Sequence, residues 1–594
     1  ASHAAAVSKL NSLELELKDD PDLSGLVALG WSSIGEEARA NLAFQKIAQE
    51  NGDLSVEWRL QYARYLLGSN QSLAYQDQIS KLNKLKLNRA QDKQLADLYE
   101  IEKVKLIEGL IQSGDLKEAS HLLKPLRSAN PKNYQLMSLS SQIQRREGRV
   151  DQAIATEQFA LAHQAAPLAS EGSLSRLKPA SDSSKSGVSI FSIESPALNP
   201  SAVQSGSPYQ YQQLGEMLDS RANWLSTAFD YLSLSGTPGQ SYYHASEIPV
   251  EWRMPIRSDE KLIFRADQVN INAGSIDLTN SYQTSTFGSM ALCQPNCSSA
   301  LTQQSAAGTG LNVGYEKQGF KADIGTTPIG FLVQNWIGGI RQKADIGPVG
   351  VAVDISRRPM TSTLLSYAGT RDPRTGSTWG GVVATGGTIS ASLDKGETLG
   401  GWTTFRARSL TGMNVQTNSD TQFMAGLNWR IVNESDRLLT SGLTGMLWGF
   451  KKNAGEFTYG QGGYYSPQSY RSLTLPLSYS QRMARFSYIV SGTVSTNWSR
   501  TDAAPYYPMN ADYQSAAGNP FYSASSGPGS AYSMLAAWEY QVSPSLFIGN
   551  RIKLERSPYY APNSAVVYLR FALDQVAAQP VLLQAQPVIP TSRF

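Results

Sequence analysis

Two cysteines in the stretch CQPNC, Cys293 and Cys297, are the first candidates for chemistry. Their spacing is too short for a zinc site and no histidine lies near them. The reading is a small local disulfide made in an oxidising compartment, with two free thiols as the alternative. The four histidines, His3, His121, His163 and His244, have no partner at metal-ligand spacing. Neither a G-x-S-x-G elbow nor a P-loop occurs. GQGG at 460–463 matches a dinucleotide loop in composition alone, because no helix follows it. No catalytic residue, metal or cofactor is assigned, and the chain is not read as an enzyme.

A second kind of chemistry is non-covalent. FTYGQGGYYSPQSYRSL (457–473) carries four tyrosines, three glycines and two glutamines in seventeen residues. It is too polar for a core strand and too aromatic for an ordinary linker. Tyr464, Tyr465 and Tyr470 offer ring faces, and Gln461 and Gln468 offer amide donors and acceptors. Gly460, Gly462 and Gly463 permit tight backbone paths.

These groups need elements to position them. The chain has 594 residues, enough for more than one domain. Its 52 basic and 49 acidic residues leave a net charge of +3, which gives no reason to expect nucleic acid. No run of about 18 apolar residues exists, so no transmembrane helix is expected; strands of a membrane barrel are shorter and alternate. The opening ASHAAAVSKLNSLELELKDD lacks a basic start followed by an apolar run, which leads us to expect a mature form or a fragment.

Residues 1–167 read as helices, with apolar residues at three and four spacing in LADLYEIEKVKLIEGLIQ (95–112). Gly114 and Gly148 are 34 apart (148 − 114), as are Ala119 and Ala153, and Pro131 and Pro167 close the two units. This period, with a glycine turn and a small residue at the helix crossing, resembles the tetratricopeptide (TPR) repeat. EWRLQYARYLLGSNQSLAYQDQI (57–79) reads as another helix pair. The start lacks a polar cap, so the array is expected to continue upstream. Residues 168–221 are a Ser/Pro/Gly-rich linker and a short helix, and 574–594 form a Pro-rich tail.

Over 222–573 the period is two. QFMAGLNWRI (422–431) sets Phe423, Ala425, Leu427, Trp429 and Ile431 against Gln422, Met424, Gly426, Asn428 and Arg430. Sixteen candidate strands follow, among them 308–318, 382–393, 419–432 and 529–542. Connections such as KQG, NESD and SQRM are tight and alternate with long ones at 273–307, 359–381, 452–466 and 500–528. Short turns on one rim and long loops on the other predict a sixteen-stranded antiparallel outer-membrane β-barrel behind an α-helical solenoid. An even count puts both barrel ends, and the helical repeats, on the periplasmic side. Trp252, Trp402, Trp448, Trp498 and Trp538 are candidates for interfacial girdles, with Trp402 the one that could instead face inward. Alternation sends Arg253, Asp267, Asp323, Arg341, Asp354, Arg406, Arg408, Arg430, Glu539, Arg551, Lys553, Glu555 and Arg570 inward.

Three segments resemble a known family: TYGQGGYYSPQSYRSLTLPLSY (458–479), RANWLSTAFDYLSLSGTPGQSYYHASEIPVEWRMPI (221–256) and LRFALDQVAAQP (569–580). The chain looks like the outer-membrane subunit of bacterial cellulose synthase, the BcsC family. That resemblance implies periplasmic TPR repeats, more than 1–167 supply, before a porin that exports cellulose, a β-1,4-glucan. It implies the glucan chain, outer-membrane lipid, and the inner-membrane synthase complex or periplasmic components as partners, with peptidoglycan a further candidate. A glucan channel needs polar groups for hydroxyls and aromatic faces for the sugar's C–H groups. Tyr464, Tyr465, Tyr470, Gln461, Gln468, Arg253, Arg406, Arg408, Arg430, Glu539, Arg551 and Arg570 are its channel candidates; for the charged ones the alternative is mutual pairing in the wall. The tyrosine loop either lines the exit or joins the outer girdle. Export of another exopolysaccharide, such as an amino-sugar polymer, and a barrel-anchored TPR scaffold are the competing functions.

The cysteine reading is testable directly. Protein taken from membranes should show no alkylation of Cys293 or Cys297 until reduced, and reduction should leave the barrel folded, since the bond closes so short a loop. Mass spectrometry finding both thiols alkylated without reductant would sink it.

Overall fold

The computed structural model describes residues 3–163 and 221–574 with 214, 217 and 218, except 17–20, 49–52, 70, 132, 258–259, 295, 318, 348, 395–397, 435–436, 484 and 559–560. The expected linker and tail fall almost wholly outside the described residues. The chain divides into two compact units, Ala1–Asp182 and Ser183–Phe594.

The first unit is helical: α1 His3–Glu16, α2 Pro21–Ser33, α3 Glu37–Ala48, α4 Asp53–Gly68, α5 Ser72–Leu82, α6 Arg89–Ser113, α7 Leu116–Ala129, α8 Tyr134–Arg146 and α9 Val150–His163. Gly114 and Gly148 both take positive φ, 87° and 77°, ending α6 and following α8 where a side chain would be strained. Ala119 and Ala153 are fully buried, so the crossing positions read from the sequence are the close-packed ones. Val104, Ile107, Leu123, Leu136 and Ile143 join α6, α7 and α8 in one core, each worth about 1.5–3 kcal/mol of burial.

The second unit is a closed antiparallel barrel of sixteen strands. They are β1 Trp224–Leu234, β2 Tyr243–Arg257, β3 Glu260–Ser275, β4 Gln303–Lys317, β5 Phe320–Thr326, β6 Trp336–Ile346, β7 Val349–Pro359 and β8 Thr378–Leu393. Then follow β9 Leu399–Met413, β10 Val415–Asn433, β11 Arg437–Phe450, β12 Ser469–Met483, β13 Phe486–Thr501, β14 Ser525–Ser543, β15 Leu546–Arg556 and β16 Asn563–Ala572. Each strand pairs with its sequence neighbours, and β1 pairs with β16 from Trp224↔Ala572 to Ser233↔Asn563. Asn223 N donates to Asp574 Oδ2 at 3.0 Å and Leu573 N to Asn223 O at 2.8 Å, fastening the seam.

Outward positions are apolar and exposed: Leu427 and Trp429 on β10, Leu473, Leu475 and Leu477 on β12, Val567, Leu569 and Phe571 on β16. Trp252 and Trp498 are outward and exposed, as expected of a girdle. Trp448 is a correction. It alternates with outward Leu447 and donates from Nε1 to the inward Asp420 at 3.0 Å. Trp402 also faces inward, over Gly426, where a Cβ would come 2.7 Å from the indole.

One buried acid in the helical unit sets a pH dependence. Glu157 on α9 is fully buried, and Tyr134 OH donates to its Oε1 at 2.7 Å. Burial raises its pKa above the ordinary carboxylate value. Protonation is therefore favoured in the folded state. The cost of burying the charge is absent below the unfolded pKa and grows as pH rises through the folded one. Protection factors of the α8 and α9 amides in the whole chain, corrected for intrinsic exchange, should be higher at pH 5 than at pH 7.5, and Glu157→Gln should abolish that difference, raising protection at pH 7.5 by about 1–2 kcal/mol of opening energy. An unchanged pH response in that variant refutes the assignment.

Candidate functional site

The long connections 276–302, 360–377, 451–468 and 502–524 lie on one rim, and they interlock. The helix Leu364–Ala368 is buried along its whole length and capped by Thr363, whose Oγ1 accepts from Ser366 N. Leu364, Tyr367 and Ala368 pack on Tyr243, Val269 and Ile271, inward residues of β2 and β3. Leu365 packs instead with Val382, Leu410, Phe450 and Tyr464, on the side of β8 to β11. In a ring of sixteen, β2 and β10 stand opposite each other. This helix thus links the apolar cluster on β2 and β3 to the one on the side of β8 to β11.

Hydrogen bonds tie the other loops to it. Thr363 Oγ1 donates to Gly463 O at 2.8 Å. Gly288 N donates to Phe457 O at 2.8 Å, and Tyr459 N donates back to Gly288 O at 3.0 Å. Gln461 Nε2 donates to Pro505 O at 2.9 Å and Thr458 Oγ1 to Tyr506 O at 2.5 Å. Asp372, fully buried, accepts from Ser289 N at 2.7 Å, Ser289 Oγ at 2.6 Å and Thr375 Oγ1 at 2.7 Å. Arg374 lies 4.4 Å over the Tyr513 ring and donates to Ser289 Oγ at 3.0 Å. The Cys293–Cys297 bond is formed, S–S 2.07 Å, and packs against the same apolar cluster.

The tyrosine loop is folded in among the other long connections. Tyr464 and Gln461 are buried inside the lid. Tyr464 OH accepts from Asn418 Nδ2 at 3.3 Å, and burial pushes its pKa up to about 12. Tyr465 is half-buried, its hydroxyl 2.5 Å from Ser499 Oγ. Tyr470 faces inward from β12, its ring centre 6.1 Å from that of Trp448. Gln468 Oε1 accepts from Asp502 N at 2.7 Å, joining two loops.

Below the lid, most of the inward charges that alternation predicts meet partners. Asp420 accepts from Arg408 at 2.8 Å and Arg406 at 3.1 Å. Arg430 pairs with Asp394 at 2.7 Å, and Arg358 with Asp323 at 2.5 Å. Arg253 pairs with Glu251 at 2.6 Å, and Arg265 takes the other oxygen of the same carboxylate. Glu539 accepts from Arg570 at 2.8 Å and Tyr568 OH at 2.8 Å, with the guanidinium 4.7 Å over the Trp224 ring. Lys553 pairs with Glu555. Arg341 stands across the β6–β7 pair from Asp354, and Arg551 follows the same inward parity on β15. Sequence reading missed the acids Glu251, Asp394 and Asp420 as partners. Strand parity exposes Glu251 and Asp420, since both share a face with inward arginines. Asp394, one residue past β8, had no such signal.

A closed wall, apolar outside and polar inside, is an outer-membrane barrel, and the helical part is periplasmic. Residues 241–574 match the family described as Cellulose synthase operon protein C C-terminus. The chain belongs to that family. Cellulose synthase operon protein C of Salmonella typhimurium LT2 is 35% identical over 374 residues, covering 62% of this chain and 31% of that protein. The Escherichia coli K12 protein of that name is 35% identical over 371 residues, 61% of this chain and 31% of its own. That of Pseudomonas fluorescens SBW25 is 33% identical over 404 residues, 67% of this chain and 30% of its own. The chain spans under a third of these relatives. Among solved structures, a bacterial polysaccharide outer membrane secretin matches at TM-score 0.40 and 9% identity, over 60% of this chain and 99% of that one.

For this operon protein C family member, Asp372 is the place to unlatch the lid. Asp372→Ala strands the donors of Ser289 and Thr375, a loss of about 2–4 kcal/mol in lid stability. Planar-bilayer recordings should show frequent openings where the parent is quiet, with the heat-modified gel mobility of the barrel unchanged. A silent trace from a folded variant counts against the latch.

Proposed function

We propose that this chain is the outer-membrane conduit through which a cellulose chain leaves the cell, non-catalytic, with its helix pairs serving as TPR-type spacer and docking arm in the periplasm. The observation that carries the reading is the lid over a polar, charge-paired lumen in a chain of the cellulose synthase operon protein C family. A polymer exporter must be shut when idle and wide when working, and loops that close on each other leave the barrel wall unchanged in both states. Pairing of the wall arginines supports a neutral cargo. Arg253, Arg265, Arg358, Arg406, Arg408, Arg430 and Arg570 already face carboxylates, so an anionic polymer gains little from them, while hydroxyls exchange hydrogen bonds with the wall as they pass. Trp402 and Trp448 on the inner face, with Tyr470, supply ring surfaces below the lid. Docking of the helical part on synthase components or peptidoglycan belongs to the same proposal.

The test uses the unlatched Asp372→Ala chain in a planar bilayer. Cellohexaose added on the short-turn side should produce brief, concentration-dependent blockades, and Trp402→Ala should shorten them severalfold. Chito-oligosaccharide blocking better than cellohexaose would favour an amino-sugar polymer, and no blockade by either would remove the conduit reading.

A further inference from the structure

We propose that the outer face of β9 to β13, toward the long-loop rim, is a binding site for a phosphorylated glycolipid of the outer leaflet. It rests on the outer-membrane fold, independently of which polymer passes inside.

The outer wall of this barrel is not uniformly bulky. Ala391, Thr403, Ala425 and Gly445 lie side by side across four strands, by the registers Thr403↔Ala391, Thr403↔Ala425 and Ala425↔Gly445. This row floors a hollow of about 460 Å³ walled by Leu393, Leu427, Leu443 and Leu473. One outward step closer to the long-loop rim, Phe405, Phe423 and Leu447 form the next row. A second hollow of about 300 Å³ lies there, and Arg471 is in its lining. The two rows are about 7 Å apart along the strands, a distance that one lipid covers.

The charge at the upper hollow selects the occupant. Arg471 is exposed on the outward face of β12, beside Leu447, and makes no ion pair among the described residues. Trp498 stands opposite it on β13, and Arg500 is the next outward residue. Asp502 contacts Arg500 at 3.3 Å, with both side chains more than half exposed. Exposed Lys451 and Lys452 follow the end of β11. Four cations against one acid attract an anion. An arginine facing lipid costs about 2–4 kcal/mol at the midplane and about 0–1 near the interface, which places Arg471 among headgroups. Paired guanidiniums bind phosphate through charge-assisted, bidentate hydrogen bonds. The hollow beneath takes an acyl chain, and Trp498 supplies an interfacial ring between the arginines.

Native mass spectrometry of the whole chain in mild detergent tests this with three probes: bisphosphorylated lipid A, lipid A stripped of its phosphates, and phosphatidylglycerol. The parent should retain bisphosphorylated lipid A about tenfold better than either of the others. The double variant Arg471→Ser with Arg500→Ser should lose that preference, while Arg437→Ser on the opposite rim keeps it. Gly445→Phe projects into the lower hollow from a position where a Cβ meets nothing within 4 Å, and should weaken retention on its own. It decides the matter if the double variant fails to fold. Equal retention of the dephosphorylated lipid or of phosphatidylglycerol overturns the proposal, as does full retention by the folded double variant or by Gly445→Phe.

Discussion

Closure of the hydrogen-bond ladder is the constraint on which everything else rests. In hydrocarbon no water is available to an unpaired N–H or C=O, so a strand edge facing lipid is excluded. The seam between β1 and β16 removes the last edge. Once the ring is closed, each residue has one of two destinations, lipid or lumen, and strand parity decides which. The apolar belt, the inward arginines and the inward turn of Trp448 are all consequences of that single binary choice.

The lumen shows how the interior manages charge. A buried carboxylate is tolerated when its oxygens are matched. Asp420 and Glu251 each hold two arginines, and Glu539 holds Arg570 with a tyrosine hydroxyl. These carboxylates are consequently engaged by the wall itself rather than offered to a passing molecule.

Much of this was legible in the sequence, and the failures have a shared cause. All sixteen strands were foreseen, because lipid on one side and polar side chains on the other write a strict alternation. The errors cluster at the long-loop rim. The strand expected over 419–432 begins at Val415, the one over 382–393 at Thr378, the one over 308–318 at Gln303. There the inward face is apolar, since Leu410, Val415, Val382 and Phe450 pack against the lid. With small and polar residues on the other positions, as in QQSAA (303–307), TWGG (378–381) and VQTN (415–418), alternation fades. The buried places of Tyr464 and Gln461 were hidden for another reason: they depend on contacts between loops far apart in the chain. Gly114 and Gly148, whose role is local, were read correctly.

The lid's wiring also sets an order of events during biogenesis. Gly288 bonds Phe457, and Thr363 bonds Gly463, so the lid joins hairpins from distant parts of the ring. Such contacts carry a large loop-closure entropy until intervening strands have fixed their ends. The lid therefore completes after the wall. The lid thus records that strands as far apart in the chain as β3 and β14 have come together.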